Sequence, residues 1–197
     1  LHHTEQVDMP PKLSLINVNA ISAGEDHSLF AMFDGYVYAT GSNAYGKLGI
    51  VSVAVPLEGD VDAPIFLDDP QMTSVLKVGA GNDHSMALTY GARVLTWGSN
   101  EDGRLGRELA DNAAQTAEPG IINELSYIMD ISAGMDHNLA VNYNGELYAW
   151  GNNRDGQLGL GSATSNLWVA VPQMNVSYLK DANIVLRSIS AGGAYSS

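Results

Sequence analysis

Three Asp-His pairs are the residues in this sequence whose types and spacing could do chemistry. In each pair the histidine follows an Ala-Gly step by three residues, and the pairs are Asp26-His27, Asp83-His84 and Asp136-His137. An imidazole beside a carboxylate can bind a metal ion, exchange a proton near neutral pH or contact a partner. Two functional interpretations are therefore a three-histidine metal site and a partner-binding face. In a third, structural interpretation, each imidazole hydrogen-bonds to the backbone of its own repeat.

The pairs recur because the sequence itself repeats. Three segments align and a fourth begins, and these repeat cores are 21–49, 78–106, 131–159 and the partial 189–197. Their Ala-Gly glycines lie 57, 53 and 58 residues apart, whereas the spacing inside each unit is constant. Length varies only in the proline-containing joining segments, which are predicted to be inter-repeat loops and are 50–76, 107–128 and 160–187. The chain is thus predicted to be a single repeat region over 1–197.

The pattern inside each unit predicts short strands. Apolar and polar residues alternate with a period of two, which is typical of strands with one buried face. Asp34-Gly35 and Asn144-Gly145 separate two such strands and favour two-residue hairpins, while the middle unit has Gly91 one position early. A strand ending at each Ala-Gly and another after each Leu-Gly complete four strands. Four antiparallel strands repeated at about 50 residues predict an all-β fold of propeller blades.

Other repeated residues have structural interpretations. Small Ala-Gly pairs suit inner strands whose backbones converge on a propeller axis. Trp97 and Trp150 are predicted to pack between neighbouring blades, with stacking on a ligand as the alternative. An asparagine three residues before a glycine closes a turn, and a leucine after that glycine anchors the core. The asparagines are Asn43, Asn100 and Asn153, and the leucines are Leu48, Leu105 and Leu158.

The charge balance constrains the class of partner. The chain has 22 acidic and 9 basic side chains, which gives a formal net charge of −13. The basic residues form no cluster, so direct nucleic-acid binding is not expected and a basic protein surface is favoured. Acidic residues in the first joining segment, including Glu58, Asp60 and Asp62, are partner-binding candidates. Ordinary solvation of surface charge is the alternative explanation.

Several function classes are excluded by residues and segments that the sequence lacks. Without cysteine there is no disulfide framework, thiolate zinc site or cysteine nucleophile. No apolar run approaches the roughly 20 residues that cross a bilayer, so a soluble protein without membrane contact is expected. The sequence does not identify the compartment, and an intracellular location, cytoplasm or nucleus, is favoured. No nucleophile-elbow, phosphate-loop or EF-hand pattern is present. We therefore predict no catalytic residues, no metal and no cofactor.

The repeat also carries a family resemblance. The order Ala-Gly-x-x-His, a turn glycine, then Trp-Gly-x-Asn-x-x-Gly-x-Leu-Gly resembles the repeat of the regulator of chromosome condensation family. This resemblance implies a ring of about seven blades, of which about three and a half are present here, and hence a fragment of a longer protein. The founding member is an exchange factor for the Ran GTPase, acting by differential binding of the nucleotide-free form. Relatives include adaptors, light sensors, ubiquitin-ligase regulators and protein inhibitors.

The prediction from the sequence is a partial β-propeller that serves as a protein–protein interaction scaffold. Guanine-nucleotide exchange on a Ran-like small GTPase is the alternative, and no reaction chemistry of the chain's own is expected. The partner-binding candidates are Asp26, His27, Asp83, His84, Asp136, His137, Glu58, Asp60 and Asp62.

Overall fold

The computed structural model describes residues 15–51, 59–160, 168–174 and 188–193, and its strands form three four-stranded sheets. The first sheet contains β1 Val18–Ala23, β2 His27–Met32, β3 Val37–Ser42 and β4 Asp60–Phe66. The second contains β5 Val75–Ala80, β6 His84–Thr89, β7 Val94–Ser99 and β8 Gln115–Ile121. The third contains β9 Ile128–Ala133, β10 His137–Asn142, β11 Leu147–Asn152 and β12 Trp168–Met174. Short 3₁₀ turns lie at Ala44–Gly46, Glu101–Gly103 and Ala110–Asn112.

Within each sheet the strands pair antiparallel in chain order, so each repeat folds into one blade. The prediction of an all-β fold built from four-stranded antiparallel blades is therefore confirmed. The Ala-Gly turns lie at one end of every blade, which we call the rim end. The β2–β3, β6–β7 and β10–β11 hairpins lie at the other, the hairpin end. No helix among the described residues is long and apolar enough to cross a membrane.

The fourth strand of each blade, which the sequence predicts after each Leu-Gly, lies within a joining segment, so the prediction that these segments are loops is corrected there. Strands β4, β8 and β12 fall inside 50–76, 107–128 and 160–187 respectively. Each contains a proline, Pro64, Pro119 or Pro172, which had favoured a loop. These strands lie at the outer edge of their sheets, where a missing backbone N–H breaks no ladder. Proline is therefore compatible with strand structure at this edge position.

The apolar cores lie between blades. Alternate residues of the middle blade point to opposite neighbours, so Ala87, Leu95 and Trp97 pack with the first blade. Met86, Leu88 and Val94 pack with the third blade instead. Strands β6 and β7 are consequently buried on both faces along nearly their whole length. A single blade cannot form such a core, because half of it is supplied by the neighbouring sheet.

The innermost strands β1, β5 and β9 are joined across blades by polar groups. The Ser22 hydroxyl accepts from the Ala80 amide at 3.0 Å, and the Ser132 hydroxyl accepts from the Ala191 amide at 2.9 Å. The backbone N–H of Asn82 donates to the Met135 carbonyl at 2.9 Å. Small and polar residues here let the backbones approach closely, as the sequence predicts for strands near the axis.

The hairpins explain why the middle unit departs from the repeat pattern. Gly35 and Gly145 have φ values of 87° and 77°, as a turn with a left-handed residue requires. In the middle blade the equivalent residue is Ala92, with φ of 59°, whereas the preceding Gly91 does not have a positive φ. The glycine is thus offset by one position, and alanine occupies the left-handed conformation.

Substituting Ala92→Gly is therefore predicted to stabilise the chain by about 1 kcal/mol, because an L-residue in the left-handed region costs roughly that much. Chemical denaturation of the 197-residue chain measures the change. The matched control is Gly91→Ala, for which the added methyl finds only ordinary contact, 3.6 Å from the Thr89 hydroxyl. This control should be neutral or slightly stabilising. A loss of stability in Ala92→Gly would contradict the hairpin geometry.

Candidate functional site

The three predicted histidines are buried between blades and do not line an open face. His27 is 3% exposed, and His84 and His137 are fully buried. Each begins the second strand of its blade, β2, β6 or β10. The rings of His27 and His84 reach side chains of the following blade. The structure therefore separates each Asp-His pair into a buried ring and a carboxylate nearer to solvent.

The His27 ring is one end of a hydrogen-bonded connection to the second blade. Its Nε2 lies 2.8 Å from the Ser85 hydroxyl oxygen, and that hydroxyl donates to the Lys47 carbonyl at 2.7 Å. The Trp97 indole N–H donates to the same carbonyl at 2.9 Å. Backbone of the first blade is thus held by two side chains of the second. We call this set of contacts the inter-blade latch.

The same latch forms between the second and third blades. The His84 Nε2 lies 2.8 Å from the Asn138 side-chain oxygen, and the Asn138 amide donates to the Arg104 carbonyl at 2.8 Å. The Trp150 indole N–H donates to that carbonyl at 3.1 Å. His27 and His84 therefore bond side chains of the next blade, which corrects for these two the interpretation that each histidine bonds backbone in its own repeat. The His137 ring nitrogens have no partner among the described residues. The prediction that the tryptophans pack between blades is confirmed.

These partners determine which ring nitrogen carries the proton. Because the Ser85 hydroxyl donates to a carbonyl, its oxygen must accept from the Nε2–H of His27. The Asn138 oxygen can only accept, so His84 has the same tautomer. The Nδ1 atoms of His27 and His84 are buried and have no partner among the described residues. A second proton on either ring would therefore have no acceptor.

The pKa values agree with this geometry. Burial lowers the pKa of His27 to about 4, with a further lowering by the Lys47 cation. Burial lowers the pKa of His84 to about 3, against the opposing hydrogen bond with Asn138. Burial also lowers the pKa of His137, although the Asp136 carboxylate opposes it. All three rings are neutral at pH 7.

The glycine of each Ala-Gly step is required by two neighbours. A Cβ on Gly24 would overlap the Gly81 carbonyl of the next blade and lie 2.9 Å from Nδ1 of His27. A Cβ on Gly134 would lie 2.7 Å from the Gly192 carbonyl and 2.6 Å from Nδ1 of His137. The close backbone approach predicted from the sequence is confirmed, and the histidine ring adds a second reason for glycine.

The aspartates of the pairs hold two buried cations. The Lys47 ammonium, 1% exposed, lies 2.6 Å from Asp26 and 2.8 Å from Asp83. The Arg104 guanidinium, 4% exposed, lies 2.9 Å from Asp136. Burial by itself would lower the pKa of Lys47, but its hydrogen bonds to the two carboxylates outweigh this and raise it. Lys47 and Arg104 thus contribute both a side chain and a carbonyl to the interface.

The carboxylates remain partly open to solvent at the rim end. Asp26, Asp83 and Asp136 are 49%, 29% and 34% exposed. They lie beside an axial depression of about 450 Å³ that is walled mainly by alanine and glycine of the Ala-Gly steps. Glu25, Asn82 and Met135 also line this depression. We call the residues Glu25, Asp26, Asn82, Asp83, Met135 and Asp136 the axial rim.

The other predicted partner-binding residues lie away from the axis. Asp60 and Asp62 are exposed on the outer edge strand β4, where Asp60 pairs with Ser42 at the rim end of β3. Glu58 lies outside the described residues. The structure therefore does not bring this acidic group into the axial rim. The partner-binding role of all nine predicted residues stays a prediction.

The arrangement gives no support to a three-histidine metal site. His27 and His84 lie in successive blade interfaces, each bonded to a different neighbour. Among the described residues, no group of three or more His, Cys, Asp and Glu side chains could hold a metal ion. The chemistry available at the axial rim is instead binding through carboxylates and small apolar surface.

Sequence reasoning missed the residues that complete the latch. Lys47 and Arg104 occupy the same place in their repeats, 23 residues after the Ala-Gly glycine. A polar residue directly follows the histidine of each repeat, such as Ser85 and Asn138. The sequence shows these repeated positions. It does not show their role, because the residues that bond to each other belong to different repeats.

Removing the Lys47 charge is predicted to destabilise the chain. Lys47→Met would leave Asp26 and Asp83 close together without their cation, at a cost of about 2 kcal/mol after allowance for their partial exposure. Urea denaturation measures the loss. The matched control is Lys47→Arg, which the equivalent Arg104 shows to be sterically suited to this position, and which should cost less than about 1 kcal/mol. Equal losses in both variants would contradict an electrostatic role.

Acid is predicted to weaken the fold through the buried histidines. An unfolded histidine has a pKa of about 6.5, so between 6.5 and the lowered folded values the unfolded chain binds more protons. This stabilisation is fully present above pH 6.5 and is lost as the pH falls toward the folded pKa. The loss approaches about 1.4 kcal/mol per pH unit for each histidine. Urea unfolding at pH 7, 6 and 5 measures the slope.

The variant His84→Gln tests the assignment of that slope. The glutamine retains a donor for Asn138. The variant should bind about one proton fewer on unfolding, which lowers the slope of unfolding free energy against pH by up to about 1.4 kcal/mol per pH unit, whatever its effect on stability at pH 7. The core substitution Leu95→Val removes a buried methylene without removing a titrating group and should leave the slope unchanged. An unaltered slope in His84→Gln would contradict its titration on unfolding.

Known sequences and structures share this architecture. Profiles described as the regulator of chromosome condensation (RCC1) repeat match residues 34–88, 92–141 and 144–197, and a second profile of that description matches 18–47, 75–104 and 128–157. Protein pim1 of Schizosaccharomyces pombe is 31% identical over 201 residues, which cover 95% of this chain and 36% of pim1. Human E3 ubiquitin-protein ligase HERC2 is 36% identical over 160 residues, covering 79% of this chain and 3% of HERC2.

A solved structure agrees with the blade architecture. Prp20p from Saccharomyces cerevisiae, described together with its binding properties to Gsp1p and histones, matches with a TM-score of 0.75 and 25% identity. The match covers 90% of this chain and 42% of Prp20p. The chain thus spans less than half the length of these relatives. The partial β-propeller predicted from the sequence is confirmed.

Proposed function

The chain belongs to the regulator of chromosome condensation (RCC1) repeat family, and from this premise we propose that its axial rim binds a basic surface of a partner protein. The chain is a β-propeller interaction scaffold with no reaction of its own in this role. The observation that carries the proposal is the placement of charge at the axial rim, where the aspartates reach solvent and the cations paired with them, Lys47 and Arg104, do not.

The charge at the rim is unbalanced on its solvent side. Lys47 and Arg104 are almost completely buried beneath the aspartates, whereas Asp26 and Glu25 are exposed. The buried cations hold the carboxylates in place but present little positive charge outward. A partner's lysine or arginine would therefore meet a fixed negative surface, which favours fast and selective association of basic proteins.

The shape of the rim also suits a protruding side chain. The axial depression is lined by Ala23, Ala80 and Ala133 with their following glycines, so its wall carries little side-chain bulk. Met135 is 44% exposed at its edge and offers an adaptable apolar contact. A long basic side chain could enter the depression with its stem against alanine and its charge near the rim carboxylates.

The relatives support a role as a binding scaffold better than they support any single shared activity. HERC2 is a ubiquitin-protein ligase, whereas Prp20p is described with its binding to Gsp1p and histones. What these proteins share with the chain is the repeat, so the repeat is the part suited to binding. Histones are basic proteins, and Prp20p therefore provides a precedent for a partner of that charge.

Guanine-nucleotide exchange on a Ran-like small GTPase remains the alternative function. Exchange requires tighter binding to the nucleotide-free GTPase than to the loaded form, and an acidic rim is compatible with binding either form. Release of a fluorescent nucleotide from a Ran-type GTPase separates the two functions. Acceleration that depends on the chain's concentration would support exchange, and binding without acceleration would support the scaffold.

Charge reversal at the rim provides the direct test. Glu25→Lys is predicted to weaken binding of a fluorescently labelled core-histone dimer about three- to ten-fold, because it places a positive charge on the contact surface. Fluorescence anisotropy at two salt concentrations measures the affinity. The matched control is Glu118→Lys, an exposed residue of the outer edge strand β8, away from both the axial rim and the hairpin end, which makes the same change in net charge.

The control decides between a site and general attraction. Binding that is weakened only by Glu25→Lys supports the axial rim. Equal weakening by both substitutions would show that net charge alone attracts the histones, and unchanged binding in Glu25→Lys would place the contact elsewhere. Either result would overturn the proposal.

A further inference from the structure

The hairpin end carries exposed aromatic side chains that the proposed function does not use. Phe33, Tyr90 and Tyr143 occupy the same place in three successive hairpins and are 63%, 57% and 67% exposed. Tyr127, which is 73% exposed, lies beside Tyr143, whose amide donates to the Tyr127 carbonyl at 3.0 Å. We call Phe33, Tyr90, Tyr127 and Tyr143 the aromatic row. Single exposed aromatics are ordinary, but equivalent ones in consecutive blades form a repeated surface.

Backbone hydrogen bonds hold the aromatic row in fixed positions. Each hairpin bonds to the start of its own blade's inner strand, and the first two hairpins also bond to the start of the next blade's inner strand. The bonds run from Val75 N to Gly35 O (2.9 Å), Tyr90 N to Ser74 O (2.8 Å), Ile128 N to Ala92 O (3.2 Å) and Tyr143 N to Tyr127 O (3.0 Å). A continuous bonded track therefore links the three hairpins. Rings on such a track are pre-organised for a ligand that crosses several blades.

The fold gains little from these aromatic residues. Tyr127 has φ of 55°, and the equivalent residues Asn17 and Ser74 have 64° and 62°. A left-handed conformation suits small polar residues, and a bulky side chain there costs roughly 1–2 kcal/mol. The exposed ring of Tyr127 recovers little of this through burial. Contact with something outside the chain explains a tyrosine at this position better than folding stability does.

The charge around the row defines the chemistry of its partner. Asp34 directly follows Phe33, Glu146 lies in the same hairpin as Tyr143, and other carboxylates lie in the β4–β5 and β8–β9 connections. Those carboxylates are Asp68, Asp69 and Glu124. Within the described part of these hairpins and connections, Arg93 is the only lysine or arginine. Aromatic faces bordered by carboxylates fit a guanidinium group, which can stack on a ring and pair with an acid.

We propose that the aromatic row binds an extended, arginine-rich segment of a partner protein, with arginines stacked on Phe33, Tyr90 and Tyr143. The chain's net charge of −13 disfavours a second copy, an anionic membrane or nucleic acid on this acidic surface. The row lies at the opposite end of the blades from the axial rim. It is therefore a second site, and it stands whether or not the rim binds a basic protein.

Two labelled peptides test the proposal with the 197-residue chain. Nona-arginine and nona-lysine carry the same charge, but arginine stacks on aromatic faces more readily than lysine does. The chain should bind nona-arginine more tightly, as measured by fluorescence anisotropy at 0.15 M salt. The triple variant Phe33→Ser, Tyr90→Ser, Tyr143→Ser should weaken nona-arginine binding about ten-fold and nona-lysine binding much less.

Matched controls separate this site from the rim and from folding. Tyr45→Ser removes an exposed aromatic at the rim end, where the side chain is 45% exposed, and should leave the arginine preference unchanged. Glu25→Lys should also preserve that preference, although it lowers affinity for both peptides if they contact the rim. The melting temperature of the triple variant should equal that of the parent, because the replaced rings are mostly exposed.

Three outcomes would overturn the proposal. Equal affinity of the parent chain for both peptides would show that only charge is recognised. An arginine preference retained in the triple variant would place the stacking site elsewhere. Concentration-dependent dimers in analytical ultracentrifugation that disappear in the triple variant would show that a second copy of the chain covers the row.

Discussion

The hydrogen bonding of one backbone carbonyl in each blade interface is the constraint on which this structure depends. The Lys47 and Arg104 carbonyls each accept from an indole and from a hydroxyl or amide of the next blade, and a neutral histidine completes the set. A buried carbonyl without partners would be costly, so the tryptophan and the polar residue after the next histidine must both donate to it. The polar residue then has to accept from the histidine, and this determines the histidine tautomer. The glycine of each Ala-Gly step follows, since it must leave room for that ring.

The latch also determines what the rim can do. The side chains of Lys47 and Arg104 lie beneath the surface, where they pair with the aspartates from the inner side. One residue thus joins two blades and fixes carboxylates that face solvent. Binding surface and blade packing are therefore not separable at Asp26 or Asp83. Glu25 is the rim residue whose charge can be changed with least effect on packing, because it is exposed.

The two ends of the blades differ in the kind of surface they offer. Carboxylates over buried cations, around a depression walled by alanine and glycine, form the rim end. Exposed aromatic rings on a bonded track form the hairpin end. Both positions recur with the repeat, because each residue of a unit returns to an equivalent place in the next blade. The repeat that builds the fold thereby also multiplies a contact along each face.

Much of this protein was determined by local sequence. Constant internal spacing and period-two alternation predicted four-stranded blades, and the Asp-Gly and Asn-Gly turns predicted the hairpins at Gly35 and Gly145, because backbone conformation there depends on neighbouring residues. Tertiary structure decided the rest. Prolines that suggested loops lie in edge strands, and Ala92 replaces a glycine in a left-handed turn, since register and pairing determine both. His27 and His84 bond residues 58 and 54 positions away, so their role depends on contacts between blades that no single repeat contains.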